Sequence, residues 1–176
     1  MRPLALKLDR LSLALHNIAL WGAVLAVVFM LGAACWQVVA RYILAQPPAW
    51  TEELARFSMV WAGLLGASCA FRLRSDPSLF PQMLDRSGGT GRLLALVRLA
   101  GVLIFIFPIL WYSFFGPGMN PERGYIARLA GRSAETLDVP MTVFGLAIPV
   151  AFTLIFIHLI AQFALSMTEP NTEDKT

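Results

Sequence analysis

The chain has 176 residues, of which 57% are hydrophobic and only 14% charged, with a formal net charge of +3 and a mean hydropathy of +0.66. Ordinary soluble domains carry about 25% charged residues, so this composition excludes a soluble globular domain, a disordered chain and a disulfide scaffold. The apolar residues suffice for four bilayer spans of roughly 20 residues each. The basic residues sit in short loops beside apolar runs, a pattern of membrane orientation rather than nucleic-acid binding.

Residues 1–16 set Arg2, Lys7 and Arg10 among leucines, and Leu4, Leu8, Leu11 and Leu15 recur at steps of four, three and four. That spacing suits one helical face, either an amphipathic segment on the membrane surface or a cytoplasmic extension of the first span. The first apolar run, Ile18 to Ala40, closes at Arg41 and Tyr42 and is longer than a signal-peptide core of about 7–15 residues. Pro47-Pro48 then stops the helix. Thr51 reads as the cap of a second helix, with Glu52 and Glu53 in its first turn.

A basic connector follows over 72–92, with Leu79 to Leu84 as one short interfacial turn. The third run is Leu93 to Phe115, with Arg98 and Pro108 inside it. A second polar connector, 119–138, carries Glu122, Arg123, Arg128, Arg132, Glu135 and Asp138, and Glu122 to Ala130 reads as a short interfacial helix. The fourth run is Val139 to Ser166, with Pro140 and Pro149 in it. The expected architecture is an all-α integral membrane protein: an N-terminal segment 1–16, a membrane domain 17–167 with spans at about 18–42, 53–73, 93–115 and 140–166, and a polar tail 168–176.

With the N-terminus inside, one side holds eight Lys and Arg (Arg2, Lys7, Arg10, Arg72, Arg74, Arg86, Arg92, Lys175) and the other four (Arg41, Arg123, Arg128, Arg132). The count favours both termini in the cytoplasm. Trp36, Tyr42, Trp50, Trp111 and Tyr112 fall at the outer edge as an aromatic belt.

Chemistry-bearing residues are scarce. No Asp or Glu falls at a span centre, which removes the usual relay of an autonomous pump. Arg98 lies shallow enough to snorkel. Glu52 and Glu53 stand four and three residues before Arg56, so both reach it on one face; the cluster reads as local ion pairs or as a contact with another membrane subunit. His16 and His158 would ligate a haem only at matched depth, and His16 lies at the edge of its span while His158 lies deeper. Ala62, Gly66 and Ala70, with Gly63 and Ala67 beside them, give small-residue spacing for close helix packing. Cys35 and Cys69 read as packing residues. No nucleotide loop, catalytic triad or zinc motif occurs, so no enzyme activity, metal site or cofactor is expected.

The stretch Ala49-Trp50-Thr51-Glu52-Glu53-Leu54-Ala55-Arg56-Phe57, then Trp61, Gly63-Leu64-Leu65-Gly66-Ala67-Ser68 and Arg72, resembles the signature of the DctQ-like small membrane subunit of TRAP (tripartite ATP-independent periplasmic) transporters. Leu137-Asp138-Val139-Pro140 and Ala147-Ile148-Pro149-Val150 resemble that family's fourth-span pattern. One departure stands out: Arg72-Leu73-Arg74-Ser75-Asp76-Pro77 lacks the histidine that members often place there. The resemblance implies a non-catalytic subunit of the bacterial inner membrane. Its implied partners are a large multi-span permease carrying the solute and sodium sites, a periplasmic solute-binding protein, and membrane lipids. Trp50, Glu52, Glu53, Arg56, Trp61, Gly66 and Arg72 would serve the second helix and its subunit contact. Arg123, Arg128 and Arg132 are either a contact for the binding protein or solvated loop charges. Two rival readings are the membrane anchor of a haem or quinone complex and a small oligomeric exporter.

Overall fold

The computed structural model describes residues 2–75 and 88–168, and the regular secondary structure among them is helical apart from one isolated bridge between Ser133 and Pro140. In chain order the helices are α1 (Arg2–Tyr42), α2 (Trp50–Arg72), α3 (Gly88–Phe114), a 3-10 turn (Pro121–Arg123), α4 (Tyr125–Ala130), α5 (Met141–Gly145) and α6 (Ala147–Ser166). Among the described residues four stretches are long and apolar enough to cross a membrane: Pro3–Tyr42, Trp50–Arg72, Leu93–Phe114 and Met141–Ser166. The short turn expected at 79–84, and the tail from residue 169, lie outside the described residues.

Residues 2–16 continue without a break into the helix that holds the first apolar run. Beyond Pro3 no proline interrupts it, and the apolar run behind the first turns adds one hydrogen bond per residue. Along its whole length α1 turns small side chains inward. Ala5, Ser12, Ala19, Ala26, Ala33 and Ala40 are all buried, each seven residues from the last. A strict seven-residue repeat keeps one seam facing a partner helix, and here the seam is small, so α2 lies close against it. Gly22 sets the limit: a Cβ there would lie 3.0 Å from Leu65 Cδ1. Ala19, Ala23, Leu65 and Cys69 form the buried core, with Trp61 and Leu154 against it.

The start of α2 departs from expectation. Trp50 is already helical, the capping residue is Ala49, and no side chain caps the end. Thr51 instead donates its hydroxyl back to the Pro48 carbonyl at 2.8 Å. The Pro-Pro turn brings that acceptor over the first turn and leaves Glu52 and Glu53 to complement the helix dipole. The other end closes as a Schellman motif, with Ser75 N–H on Ala70 O and Arg74 N–H on Phe71 O. Arg74, at φ +53°, occupies the left-handed position usually given to glycine.

The third helix begins five residues before the expected Leu93, running through Gly88, Gly89 and Gly91. The fourth segment is divided at Leu146. Pro149 has no N–H to offer the Gly145 carbonyl, yet Leu146 N–H still bonds Thr142 O at 2.9 Å and Val150 N–H bonds Leu146 O at 3.1 Å. The expected helix over 122–130 is likewise split, at Gly124, into the 3-10 turn and α4.

Candidate functional site

The second helix carries most of the singled-out residues, and its two ends are built differently. At the N-terminal end Glu52 and Arg56 form an ion pair of 3.1 Å with both side chains about two-thirds exposed. Glu53 does not join them. Its carboxylate accepts the N–H groups of Glu135 (2.9 Å) and Thr136 (2.8 Å) and the Thr136 hydroxyl. The expectation that both acids serve Arg56 therefore fails for Glu53, because the 131–140 turn presents it with three converging donors. That turn is itself folded: Ala134 N–H bonds Val139 O, Met141 N–H bonds Arg132 O, and Asp138 takes φ +49°.

Close contacts carry the arrangement across this end of the bundle. Phe57 stacks on Phe144 at 3.8 Å and 6°. A Cβ at Gly124 would lie 2.4 Å from the Phe114 carbonyl oxygen, one at Gly116 2.3 Å from Arg123 Cβ, and one at Gly145 2.2 Å from Leu129 Cδ1. Arg123, Arg128 and Arg132 are all exposed on this platform, and no ion pair among the described residues involves them.

In the middle of α2, Trp61 lies against the α1–α2 core. Gly66 and Gly63 do not mediate packing within the chain, since a Cβ at either would meet nothing within 4 Å. The close approach belongs to the alanine seam of α1 instead. Beside Gly63 an apolar groove opens between α2 and α3 over α6, lined by Met59, Val60, Gly63, Leu64, Ile109, Ile148 and Phe152.

At the C-terminal end Arg72 turns inward and joins three helices. Its Nη2 donates to Asp9 Oδ1 at 3.0 Å and its Nη1 to Ser12 Oγ at 2.5 Å. Ser12 in turn bonds His158 Nδ1 at 2.7 Å. Gln162 Nε2 donates to the carbonyls of Phe71 and Arg72 at 3.2 and 3.1 Å. Ser12 and His158 are completely buried, and hydrogen bonding is what makes such burial tolerable. Asp9, Ser12 and Gln162 were not singled out from sequence. The available signal was polar side chains recurring at i, i+3, i+4 in an otherwise apolar helix: Asp9, Ser12 and His16 on α1, and His158 with Gln162 on α6.

The histidines correct a second expectation. They do not differ in depth; the antiparallel packing of α1 and α6 sets their ring centroids 6.4 Å apart, edge to face. Arg98 lies with its guanidinium carbon 4.8 Å from the centre of the Phe71 ring, a cation–π contact beside the end of α2. Cys35 and Cys69 are free thiols, the first exposed and the second buried. Among the described residues no three His, Cys, Asp or Glu side chains gather as a metal site.

The family model of the DctQ component of tripartite ATP-independent periplasmic transporters matches residues 30–169, about four-fifths of the chain. This chain belongs to the DctQ family. It is the small membrane subunit of a TRAP transporter, a multi-pass membrane protein from a transport family rather than an enzyme family. No curated protein matches it. The matched stretch of this DctQ subunit contains all of α2, the 131–140 turn and α6, but it starts after Asp9, Ser12 and His16. Arg72 thus lies within the family match while its partners on α1 precede it.

Proposed function

We propose that this DctQ subunit is a fixed scaffold for a large multi-span permease in a bacterial inner membrane. In this reading the permease carries the solute and ion sites. A periplasmic binding protein delivers the solute, an organic acid, and an ion gradient drives uptake. Both termini of the small subunit face the cytoplasm. The observation that carries the reading is the placement of charge. Among the described residues no Asp or Glu falls in the middle of a helix, and intramembrane acids are the usual mark of an ion or proton path. What the middle of the bundle offers instead is apolar surface: the α2–α3 groove and the uncovered Gly63 and Gly66 support contact with another helix, by the close approach small residues permit.

The two ends of α2 divide the work in this reading. The Arg72 cluster holds the bundle together, and the Glu52–Arg56 pair is presented outward for the permease. Arg123, Arg128 and Arg132 present positive charge to the binding protein from the platform that Glu53 braces.

The test is purification of the tagged chain from its native membranes in mild detergent, with bound proteins identified by mass spectrometry. A stoichiometric large permease is expected, and a subunit that comes out alone overturns the scaffold reading. Arg56→Glu is expected to release the permease while leaving the small subunit folded. Unchanged co-purification and uptake would remove Arg56 from the interface.

A further inference from the structure

The polar joint around Arg72 is not satisfied by its own side chains. Among the described residues three of its buried atoms have no hydrogen-bond partner: His16 Nδ1, His158 Nε2 and Gln162 Oε1. The two imidazoles are 7% and 0% exposed, and their ring centroids lie 6.4 Å apart across α1 and α6. Gln162 stands one helical turn further along α6. Native interiors leave few such atoms unpaired, and a resident water or ion is the usual reason where they do.

The neighbours fix where the protons lie. Arg72 Nη1 can only donate, so Ser12 Oγ accepts from it. Ser12 then has its own hydroxyl proton to place, and the acceptor beside it is His158 Nδ1 at 2.7 Å. Were Nδ1 the donor instead, that hydroxyl proton would be stranded in a side chain with no exposed surface. Nδ1 therefore accepts, and the proton of the ring sits on Nε2. His158 Nε2–H is thus a buried donor that lacks an acceptor, and its neighbour His16 holds a buried nitrogen that lacks a partner.

Distance selects how the two rings are joined. A direct N–H···N bond of about 2.9 Å, with about 1.1 Å from each nitrogen to its ring centre, would hold the centroids within about 5.1 Å. The observed 6.4 Å is longer. Two hydrogen bonds to one intervening oxygen span about 4.6 Å, which lets the centroids stand up to about 6.8 Å apart. We propose that a single resident water bridges α1 and α6 here, accepting from His158 Nε2–H and donating to His16 Nδ1. It extends the chain of hydrogen bonds from Asp9, Arg72, Ser12 and His158 to His16, so that α1 is tied to α6 at two levels one helical turn apart. A metal ion is the rival occupant of two neighbouring imidazoles. It would have to displace the proton on Nε2 and sit in one network with the Arg72 cation, and among the described residues no third His, Cys, Asp or Glu joins the pair as a ligand. The inference rests on hydrogen bonding inside this chain and does not depend on a permease or on transport.

The test is NMR of the full chain in mild detergent with isotope-labelled histidine. The chain has 2 histidines, so one variant assigns both rings. Long-range proton–nitrogen spectra are expected to place the His158 proton on Nε2. Rotating-frame cross-relaxation, whose sign separates a resident water from chemical exchange, is expected to show that proton in contact with a bound water. His16→Leu removes the far acceptor and is expected to abolish the water contact, while His158 keeps its proton on Nε2. A His158 proton on Nδ1 would overturn the proposal, as would an Nε2–H without a water contact or a contact that survives His16→Leu. So would movement of both ring signals on adding equimolar zinc, the mark of a metal site. The wild-type spectra alone decide the proton position, the water contact and the response to zinc, so the proposal is tested even if His16→Leu misfolds.

Discussion

Replacing Arg72 by alanine removes two charge-assisted hydrogen bonds at once, each ordinarily worth about 1.5–3 kcal/mol. The two do not count equally here. Arg72 is 13% exposed but Asp9 is 36% exposed, so the ion pair is partly screened and its carboxylate returns to solvent when the arginine is lost. Ser12 is fully buried but keeps its bond to His158 Nδ1, so only one of its lone pairs is orphaned. The expected cost is therefore about 2–3 kcal/mol, below the 3–5 kcal/mol typical of breaking a fully buried pair. Arg72→Lys keeps one of the two bonds, because an ammonium lacks the guanidinium fork, and is expected to lose about half as much. Thermal unfolding of the purified chain in detergent, followed by tryptophan fluorescence, should show a fall of roughly 4–12 °C for the alanine variant, at about 2–4 °C per kcal/mol for a chain of this size. The decisive assay is a double-mutant cycle with Ser12→Ala. Residues sharing one network couple by about 0.5–3 kcal/mol. Effects that simply add would show that the cluster is a juxtaposition rather than a joint.

Other outcomes follow from the same geometry. Gly124→Ala sets a methyl against the backbone oxygen of Phe114, which cannot swing away as a side chain would, and is expected to destabilise by about 3 kcal/mol, the upper end for overpacking, in the same melting experiment. Arg74→Gly relieves a left-handed residue and is expected to stabilise by about 1 kcal/mol; a loss of stability would contradict the helix-end geometry. Glu53→Ala is expected to speed amide exchange at Glu135 and Thr136 while leaving amides in the middle of α2 unchanged, which peptide-resolved hydrogen exchange reads directly. Arg56→Ala is expected to shift folding stability by no more than about 0.5 kcal/mol, since the pair it breaks is exposed; a larger loss would mean that Arg56 serves the fold of this chain.

Much of the architecture was legible because membrane helices announce themselves by length and apolarity. The second and fourth apolar runs lie close to Trp50–Arg72 and Met141–Ser166, and Gly116-Pro117-Gly118 follows closely on the end of α3, whereas the divisions at Gly124 and Leu146 are not announced by the sequence. The site was less legible, for a physical reason. Sequence spacing speaks only to neighbours on the same helix, so Glu52, Glu53 and Arg56 were read together, whereas Glu53 finds its donors about 80 positions away in a turn whose shape is set by left-handed Asp138. Arg72 reads from sequence as a basic residue of the connector and of the second helix's subunit contact, whereas its partners lie 60 and 63 positions earlier on another helix. The alanine seam was legible in principle. A repeat of exactly seven over six small residues is periodic evidence, but its residues are not strongly hydrophobic, and a reading that follows leucines passes over it.

That seam reverses the usual layout of a globular protein, whose bulky side chains fill the interior. Here Trp21, Phe29, Phe105 and Phe107 face outward, each more than half exposed, while the inward seam of α1 is five alanines and a serine. The helix is consequently free to vary where it is large and fixed where it is small. An outward change of size alters what the surroundings touch without disturbing the register of α1 on α2, whereas one added methylene at Ala19 or Ala40 pushes two backbones apart along the whole bundle. A lineage carrying this fold can thus refit its exterior to a new membrane or a new neighbour, so long as six small side chains stay as they are.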